Sequence, residues 1–410
     1  MAEGTNPKIF YGYIVATVSV FILVVMHGIG NTYGIFFKSL QNEFATNRAT
    51  IAGASSLAVF LEGLFGIFFG RLTDRFGPRK VLTACGFIFG LGYFLMSQVG
   101  AVWQLYLFYA IAVGIGISSG NVALLSTIAR WFVKRRGLMS GMVKVGTGAG
   151  MFILPPVATW LILNYGWRNA YLALAIVGVV SIVILAQFLR HDPVQMGLKP
   201  YGMSNTNHVS SELVTSVQLT TEEAIRTRQF WLICVAYFTV IYTTASILIH
   251  IVAYATDGGI SAGSAASIVS VIGAISILGR LVMGGTGDRI GNKRTLFLCF
   301  VILIVALSWL QFTKELWMLY LFAIVYGFAH GGFFAVMSPL VAEVFGTLSH
   351  GANFGMVLFL GQTGGALGPL VTGLIFDVTQ SYQLAFLILF VSSIGGLILA
   401  SMLKPININK

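Results

Sequence analysis

Apolar runs of about 20 residues, interrupted by short polar turns, recur along the chain at roughly 11–37, 50–70, 81–98, 103–129, 138–162, 169–189, 229–256, 262–284, 295–312, 317–343, 352–376 and 382–403. Each is long enough to cross a ~30 Å hydrocarbon core at 1.5 Å per residue. In lipid a segment must pair its own backbone polar groups, so each run predicts a helix. The pattern therefore predicts an all-α membrane protein of twelve transmembrane helices. One long polar interruption, Arg190 to Arg228, divides it into an N-terminal six-helix bundle over 1–190, a cytoplasmic linker over 191–228 and a C-terminal six-helix bundle over 229–410. The linker carries Asp192, Pro193, Pro200, Ser210 and Ser211. It ends in Thr220-Thr221-Glu222-Glu223, spaced either to cap a short helix or to serve as a solvated tether.

Composition agrees with the pattern. Hydrophobic residues make up 57% of the chain and charged residues 9%, against roughly 25% charged in a soluble domain. The net charge of +11 would suggest nucleic acid in a soluble protein, but here it reads as topology, and no nucleic-acid partner is expected. Of 24 Lys and Arg, 18 fall in termini or alternate connections on one side, four (Lys38, Arg48, Arg168, Lys314) on the other, and two, Lys144 and Arg280, inside spans. The positive-inside rule then puts both termini in the cytoplasm. Cys85, Cys234 and Cys299 each sit in an apolar run, so no disulfide framework is expected. Met1 to Pro7 lead into the first span without a cleavage pattern. The short connections suggest a prokaryotic inner (plasma) membrane protein.

The chain is also a tandem repeat. Shifted by 214 residues, Gly70, Asp74, Arg75, Gly77, Arg79 and Lys80 fall on Gly284, Asp288, Arg289, Gly291, Lys293 and Arg294. Tyr106-Leu107-Phe108 falls on Tyr320-Leu321-Phe322, Gly141-Met142-Val143 on Gly355-Met356-Val357, and Pro155 on Pro369. Two similar halves with a site between them is transporter architecture. Most of the 48 glycines lie within spans, where small residues let helices approach.

Charged side chains in lipid are costly and usually face a bundle interior or cavity. Spans 1, 4, 7 and 10 carry His27 with Asn31, Asn121, His250 and His330, while spans 2, 5, 8 and 11 carry Glu62, Lys144, Arg280, and Asn353 with Gln362. Spans 3, 6, 9 and 12 have uncharged interiors. Arg280 breaks the repeat, since its counterpart is Gly66. Its planar fork suits a small organic anion, unless it is structural and pairs with Asp288 or helix-end carbonyls. Lys144 either faces the same cavity or pairs with an acid. For a coupled proton, His250 ranks first as substrate and proton partner, Asp257, seven residues on, second as an outer-gate switch, and Glu62 next. No metalloprotease, P-loop or nucleophile-elbow motif is present, so neither an enzyme nor an ATP-driven pump is expected, nor any cofactor or metal.

The paired Gly-x-x-x-Asp-Arg-x-Gly-x-basic-basic turns resemble the loop signature of the major facilitator superfamily. Trp131-Phe132-Val133-Lys134-Arg135-Arg136-Gly137-Leu138, with Gly141 and Gly146, resembles the start of span 5 in monocarboxylate transporters and in the oxalate:formate antiporter family. The resemblance implies that spans 1, 4, 7 and 10 line the cavity and that Arg280 matches a substrate-binding arginine. It also implies that Asn31, Ser119, Thr147, His330, Phe334 and Leu358 line the pocket beside Asn121 and Lys144, and that Asp74, Arg75, Asp288 and Arg289 govern conformational gating. Departures stand out: Ser276 where animal monocarboxylate transporters have aspartate, Asn31 where they have lysine, Tyr11-Gly12-Tyr13 as a reduced form of the first-span acidic-Gly-x-aromatic signature, and Gly361 where the oxalate antiporters have lysine. The expectation is a monomeric secondary transporter of a small monocarboxylate such as lactate, coupled to a proton. A dicarboxylate exchanger or a non-transporting anion receptor are the alternatives, and dicarboxylate gains if Lys144 takes over as a second cation.

Overall fold

The computed structural model describes residues 10–46, 48–203 and 218–404. Met1 to Pro7, Ser210 and Ser211 lie outside them. Among the described residues, ten continuous helices are long and apolar enough to cross a membrane. One of these, Arg136–Ala186, has 51 residues. That is about 77 Å at 1.5 Å per residue, more than twice the core thickness. It breaks at Gly166, whose φ of 80° glycine adopts without a Cβ penalty, so it crosses twice. A further crossing is built in three pieces, Val102–Tyr109, the π-helical Ala110–Ile115 and Ser118–Trp131.

The twelve spans are thus, in order, Tyr11–Gly30 continued by Tyr33–Phe44, Arg48–Phe76, Pro78–Ser97, the three-piece 102–131, 136–165, 167–186, Arg228–Asp257, Ala262–Ile290, Asn292–Leu310, Leu316–Phe345, His350–Thr379 and Gln383–Met402. Two of them depart from the single runs read from hydropathy. Span 1 turns at Asn31 and Thr32, whose side chains donate back to the His27 and Ile29 carbonyls at 2.6 and 2.7 Å. Span 4 takes its π-helical turn beside Gly114 and Gly116, where a Cβ on Gly116 would come within 2.7 Å of Phe89.

Glycines set the packing within each half. Gly146 and Gly150 of span 5 face the Val20 and Val24 carbonyls of span 1, and Gly364 and Gly368 of span 11 face the Phe238 and Tyr242 carbonyls of span 7. The apolar solvent supplies no hydrophobic drive between helices, so this close backbone contact does the holding.

The linker is docked at both ends. Tyr201 accepts from the Val133 and Lys134 amides at 3.1 and 3.0 Å, and its own N–H donates to the Trp131 carbonyl at 2.8 Å. At the other end Thr220 and Glu223 form a capping box for the short helix Thr221–Ile225. The Thr220 amide and hydroxyl hold the Glu223 carboxyl below its ordinary range. Gln218 Oε1 accepts from the Thr347 and Leu348 amides, both at 3.0 Å.

Among the described residues, the close backbone contacts between the halves lie at the end bearing the paired turns, here called the basic face. There span 2 lies against span 11, with a Cβ on Gly351 placed 2.6 Å from the Gly70 carbonyl, and span 5 lies against span 8, with a Cβ on Gly284 placed 2.5 Å from the Gly137 carbonyl. The last ring contact on the first seam is Phe60 with Phe359, centroids 6.0 Å apart. Beyond that level a central cavity opens between the halves.

Candidate functional site

The cavity has a volume of about 360 Å³ and draws its lining from both halves. Span 7 contributes Tyr237, Ile241, Thr244 and Leu248, a single stripe at helical spacing. Of the residues expected from sequence, Asn31, Glu62, Asn121, Lys144, Thr147, Arg280, His330, Phe334 and Leu358 all line it, as do His27 and Gln362.

Arg280 and Lys144 are its chemical centre. They are 6% exposed each. Arg280 Nη1 donates to the Lys144 carbonyl at 3.0 Å, and Gly148 makes room for the guanidinium, since a Cβ there would sit 2.9 Å from Nη1. Arg280 Nε is buried without a partner. Lys144 Nζ donates to Asn121 Oδ1 at 2.6 Å, leaving two of its three protons. Both cations lie over the Phe334 ring, Nζ at 5.6 Å and Cζ at 6.0 Å from its centroid. The ring's negative face stabilises them without neutralising them. Among the described residues neither forms an ion pair; the two salt bridges present are Arg130–Asp74 and Arg168–Glu43. The structural alternative for Arg280, pairing with Asp288, is therefore not realised, and Lys144 faces the cavity rather than pairing with an acid.

The other polar groups surround this pair. His330 packs edge-on to Phe334 at 5.0 Å and stacks on Tyr326, and its Nδ1 is buried with no partner. His27 Nε2 and Thr147 Oγ1 are likewise buried and unpaired. Such orphans are expensive unless something fills the space beside them. Glu62 is the only carboxylate among the cavity-lining residues. Sequence reading missed Ser55, Tyr109 and Tyr237 in the lining; a tyrosine in mid-span was the available signal.

Three expected site residues fall elsewhere. His250 does not face the central cavity: its Nε2 lies 2.9 Å from the Pro369 carbonyl and its Nδ1 3.3 Å from the Tyr382 hydroxyl. It packs outward against spans 11 and 12 because it is two residues, about 200° of helix, beyond the cavity-lining Leu248. Asp257 is an exposed helix-end residue in a separate recess with Lys314 and Tyr382. Ser119 is fully buried but outside the lining, on the far side of span 4 from Asn121. Ser276 donates to the Gly273 carbonyl at 2.7 Å and is committed to its own helix.

At the basic face the repeat recurs in three dimensions. Asp74 accepts from the Gly351 and Ala352 amides at 3.1 and 3.0 Å and from Arg130 at 3.0 Å. Asp288 accepts from the Gly137 and Leu138 amides at 2.7 and 2.8 Å. Each carboxylate thus caps the first turn of a helix in the opposite half, where helix-end amides favour an anion. Arg75 and Arg289 follow these aspartates in the recesses at either seam.

Known proteins share both the sequence and this architecture. Monocarboxylate transporter 12 of Xenopus laevis is 25% identical, across 98% of this chain and 91% of its own. Monocarboxylate transporter 13 of Rattus norvegicus is 26% identical, across 92% and 85%. The oxalate:formate antiporter of Oxalobacter formigenes is 25% identical, across 94% and 90%. Among solved structures, a proton:xylose symporter superposes with a TM-score of 0.77 at 14% identity, covering 96% of each chain. A fucose:proton symporter superposes at 0.73, also at 14% identity, covering 97% of this chain and 99% of its own. At that identity the likeness speaks to the fold. The family model of the Major Facilitator Superfamily matches residues 19–285 and 233–408, and the chain, a multi-pass membrane transporter and not an enzyme, belongs to that superfamily.

Proposed function

We propose that this chain carries small monocarboxylates of lactate size across the membrane together with a proton, by rocking its two halves about the central cavity. The observation that carries this reading is the pair of buried cations, Arg280 and Lys144, facing one cavity whose lining holds a single carboxylate, Glu62, with neither cation in an ion pair among the described residues. A desolvated cation of this kind needs an anion. The planar fork of Arg280 matches a carboxylate, and the apolar Leu358, Ile241 and Phe334 beside it suit a short carbon chain. The names of the relatives, monocarboxylate transporters and an oxalate:formate antiporter, support carboxylate as the class.

Glu62 is the proton site in this reading. Ionised, it repels an incoming carboxylate in the same cavity; protonated, it does not, so proton and anion favour each other's binding. The positive-inside rule assigns the basic face to the cytoplasm and both termini with it, which makes the structure outward-open in the plasma membrane. One chain supplies the whole cavity, which supports a monomeric unit.

Lys144 favours a second reading. With two cations over one ring, a dicarboxylate exchanged for another anion satisfies both. Uptake of labelled lactate and oxalate into proteoliposomes, with and without an inward proton gradient, separates the two. Gradient-driven lactate accumulation supports symport, whereas gradient-independent oxalate exchange overturns it.

A further inference from the structure

At the seam between spans 5 and 8 the basic face carries a recess of about 640 Å³ lined by Lys134, Arg135, Arg136, Arg289, Asp288 and Glu343. The carboxylates there are already engaged. Asp288 holds the Gly137 and Leu138 amides, and Glu343 Oε2 accepts from Asn292 N and Nδ2 at 3.2 and 2.8 Å. Arg136 Nε donates to the Phe132 carbonyl at 3.0 Å. Lys134, Arg135 and Arg289 are exposed, and among the described residues none of the three makes a side-chain hydrogen bond or an ion pair.

The molecule's own repeat indicates what such a recess takes. The equivalent recess, at the seam of spans 2 and 11, is lined by Arg71 and Arg75, and the linker enters it with Thr221 and Glu222, an acidic side chain set among the arginines. Its aspartate, Asp74, also has the Arg130 ion pair. The position matching Arg130 in the second half is Val344, so Asp288 has no such partner. One seam is thus supplied with its charge partners by the chain; at the other, among the described residues, no acidic side chain takes the place of Glu222.

We propose that this second recess binds the phosphate group of an anionic membrane lipid. Lipid is favoured over a soluble phosphate because the recess sits at the membrane ends of two spans and is flanked by Val133 and Ile290, 47% and 39% exposed, apolar surface beside which acyl chains lie. A headgroup held between the start of span 5 and the end of span 8 joins the two halves. It therefore stabilises the state in which the basic face is closed.

The test is native mass spectrometry of the full chain with phosphatidylglycerol or phosphatidylethanolamine, comparing the parent, Lys134→Gln/Arg135→Gln, and Arg79→Gln/Lys80→Gln. The last removes the same charge from the same face without touching the recess. Each Lys or Arg near an anionic surface is worth ~1 kcal/mol. The recess variant should therefore retain phosphatidylglycerol roughly 30-fold more weakly than the parent, the control should match the parent, and phosphatidylethanolamine should be lost from all three. Equal retention by parent and recess variant, or equal loss in the control, overturns the site. Displacement of the lipid by millimolar glycerol phosphate overturns the lipid as occupant and assigns the recess to a soluble phosphate.

Discussion

Replacing Arg280 tests the proposed site most directly, because a binding role and a stabilising role predict different outcomes. A carboxylate 4 Å from the guanidinium gains ~4 kcal/mol at an effective dielectric near 20, and breaking a buried ion pair commonly costs about 3–5 kcal/mol. At 1.4 kcal/mol per factor of ten, Arg280→Gln should bind a monocarboxylate roughly 100- to 3,000-fold more weakly. Arg280→Lys keeps the charge but loses the fork and the geometry of one charge-assisted bond, worth about 1.5–3 kcal/mol, so it should fall between, at roughly 10- to 100-fold. The empty protein should lose little: among the described residues Arg280 has no ion pair to lose, only its bond to the Lys144 carbonyl and its contact with the Phe334 ring. Calorimetric titration of lactate, with thermal melting of the same ligand-free samples, measures both quantities. Binding by Arg280→Gln within threefold of the parent refutes the anion site. Weak binding accompanied by a large fall in melting temperature refutes the separation, and makes Arg280 a structural residue.

Three other outcomes follow from the geometry. Glu62→Gln should bind lactate independently of pH, as the parent does at low pH, and lose gradient-driven accumulation while keeping counterflow; unchanged accumulation removes Glu62 as the proton site. Asp74→Asn gives up the Arg130 ion pair and one of its two amide contacts, about 1.5–3 kcal/mol, so labelling of a cysteine placed at the basic face should rise roughly 10- to 100-fold, and unchanged labelling would mean the turn serves only folding. Gly137→Val places a side chain against the Gly284 carbonyl, so it should prevent closure and abolish counterflow while the folded protein still binds substrate; normal counterflow would show that the seam has slack.

The crossings, the repeat and Arg280 were legible because each rests on period or chemistry along one dimension. Rotational phase was not. Span 7 buries Ile247 and Ile251 as well as Tyr237 and Ile241, and a helix apolar on most sides gives no amphipathic stripe to fix which face meets the cavity. Hydropathy therefore leaves room to set His250 towards the cavity, whereas it points to Pro369 and Tyr382. Part of the answer was nevertheless present: Ser119 and Asn121, two residues apart on one helix, cannot both line the same cavity at 100° per residue. Lys144 lay open between cavity and ion pair because its sequence neighbourhood names no partner. Only the tertiary placement of Phe334 and Asn121 settles that it faces the cavity.

The break in the repeat at Arg280 bears on how one scaffold could serve both the proposed gate and the proposed binding site. In the first half, the Gly66 carbonyl meets Gly355, where a Cβ would lie 2.6 Å from that oxygen; in the second, the Arg280 carbonyl meets Gly141 in the corresponding contact. The backbone crossing is the same at both seams, so the proposed rocking has two equivalent crossings to turn about, whatever side chain stands there. A residue at position 66 or 280 therefore adds chemistry without altering the crossing. At position 66 that residue is glycine and adds none. At position 280 it is an arginine, whose Nη1 reaches the Lys144 carbonyl across the seam. Its guanidinium lies where the seam meets the cavity, so under the proposed function an anion drawn to it changes the contact it makes across that seam. In the proposed cycle, opening that face separates Arg280 from the Lys144 carbonyl and leaves the guanidinium more dependent on a bound anion, which is how the proposal couples binding to rocking.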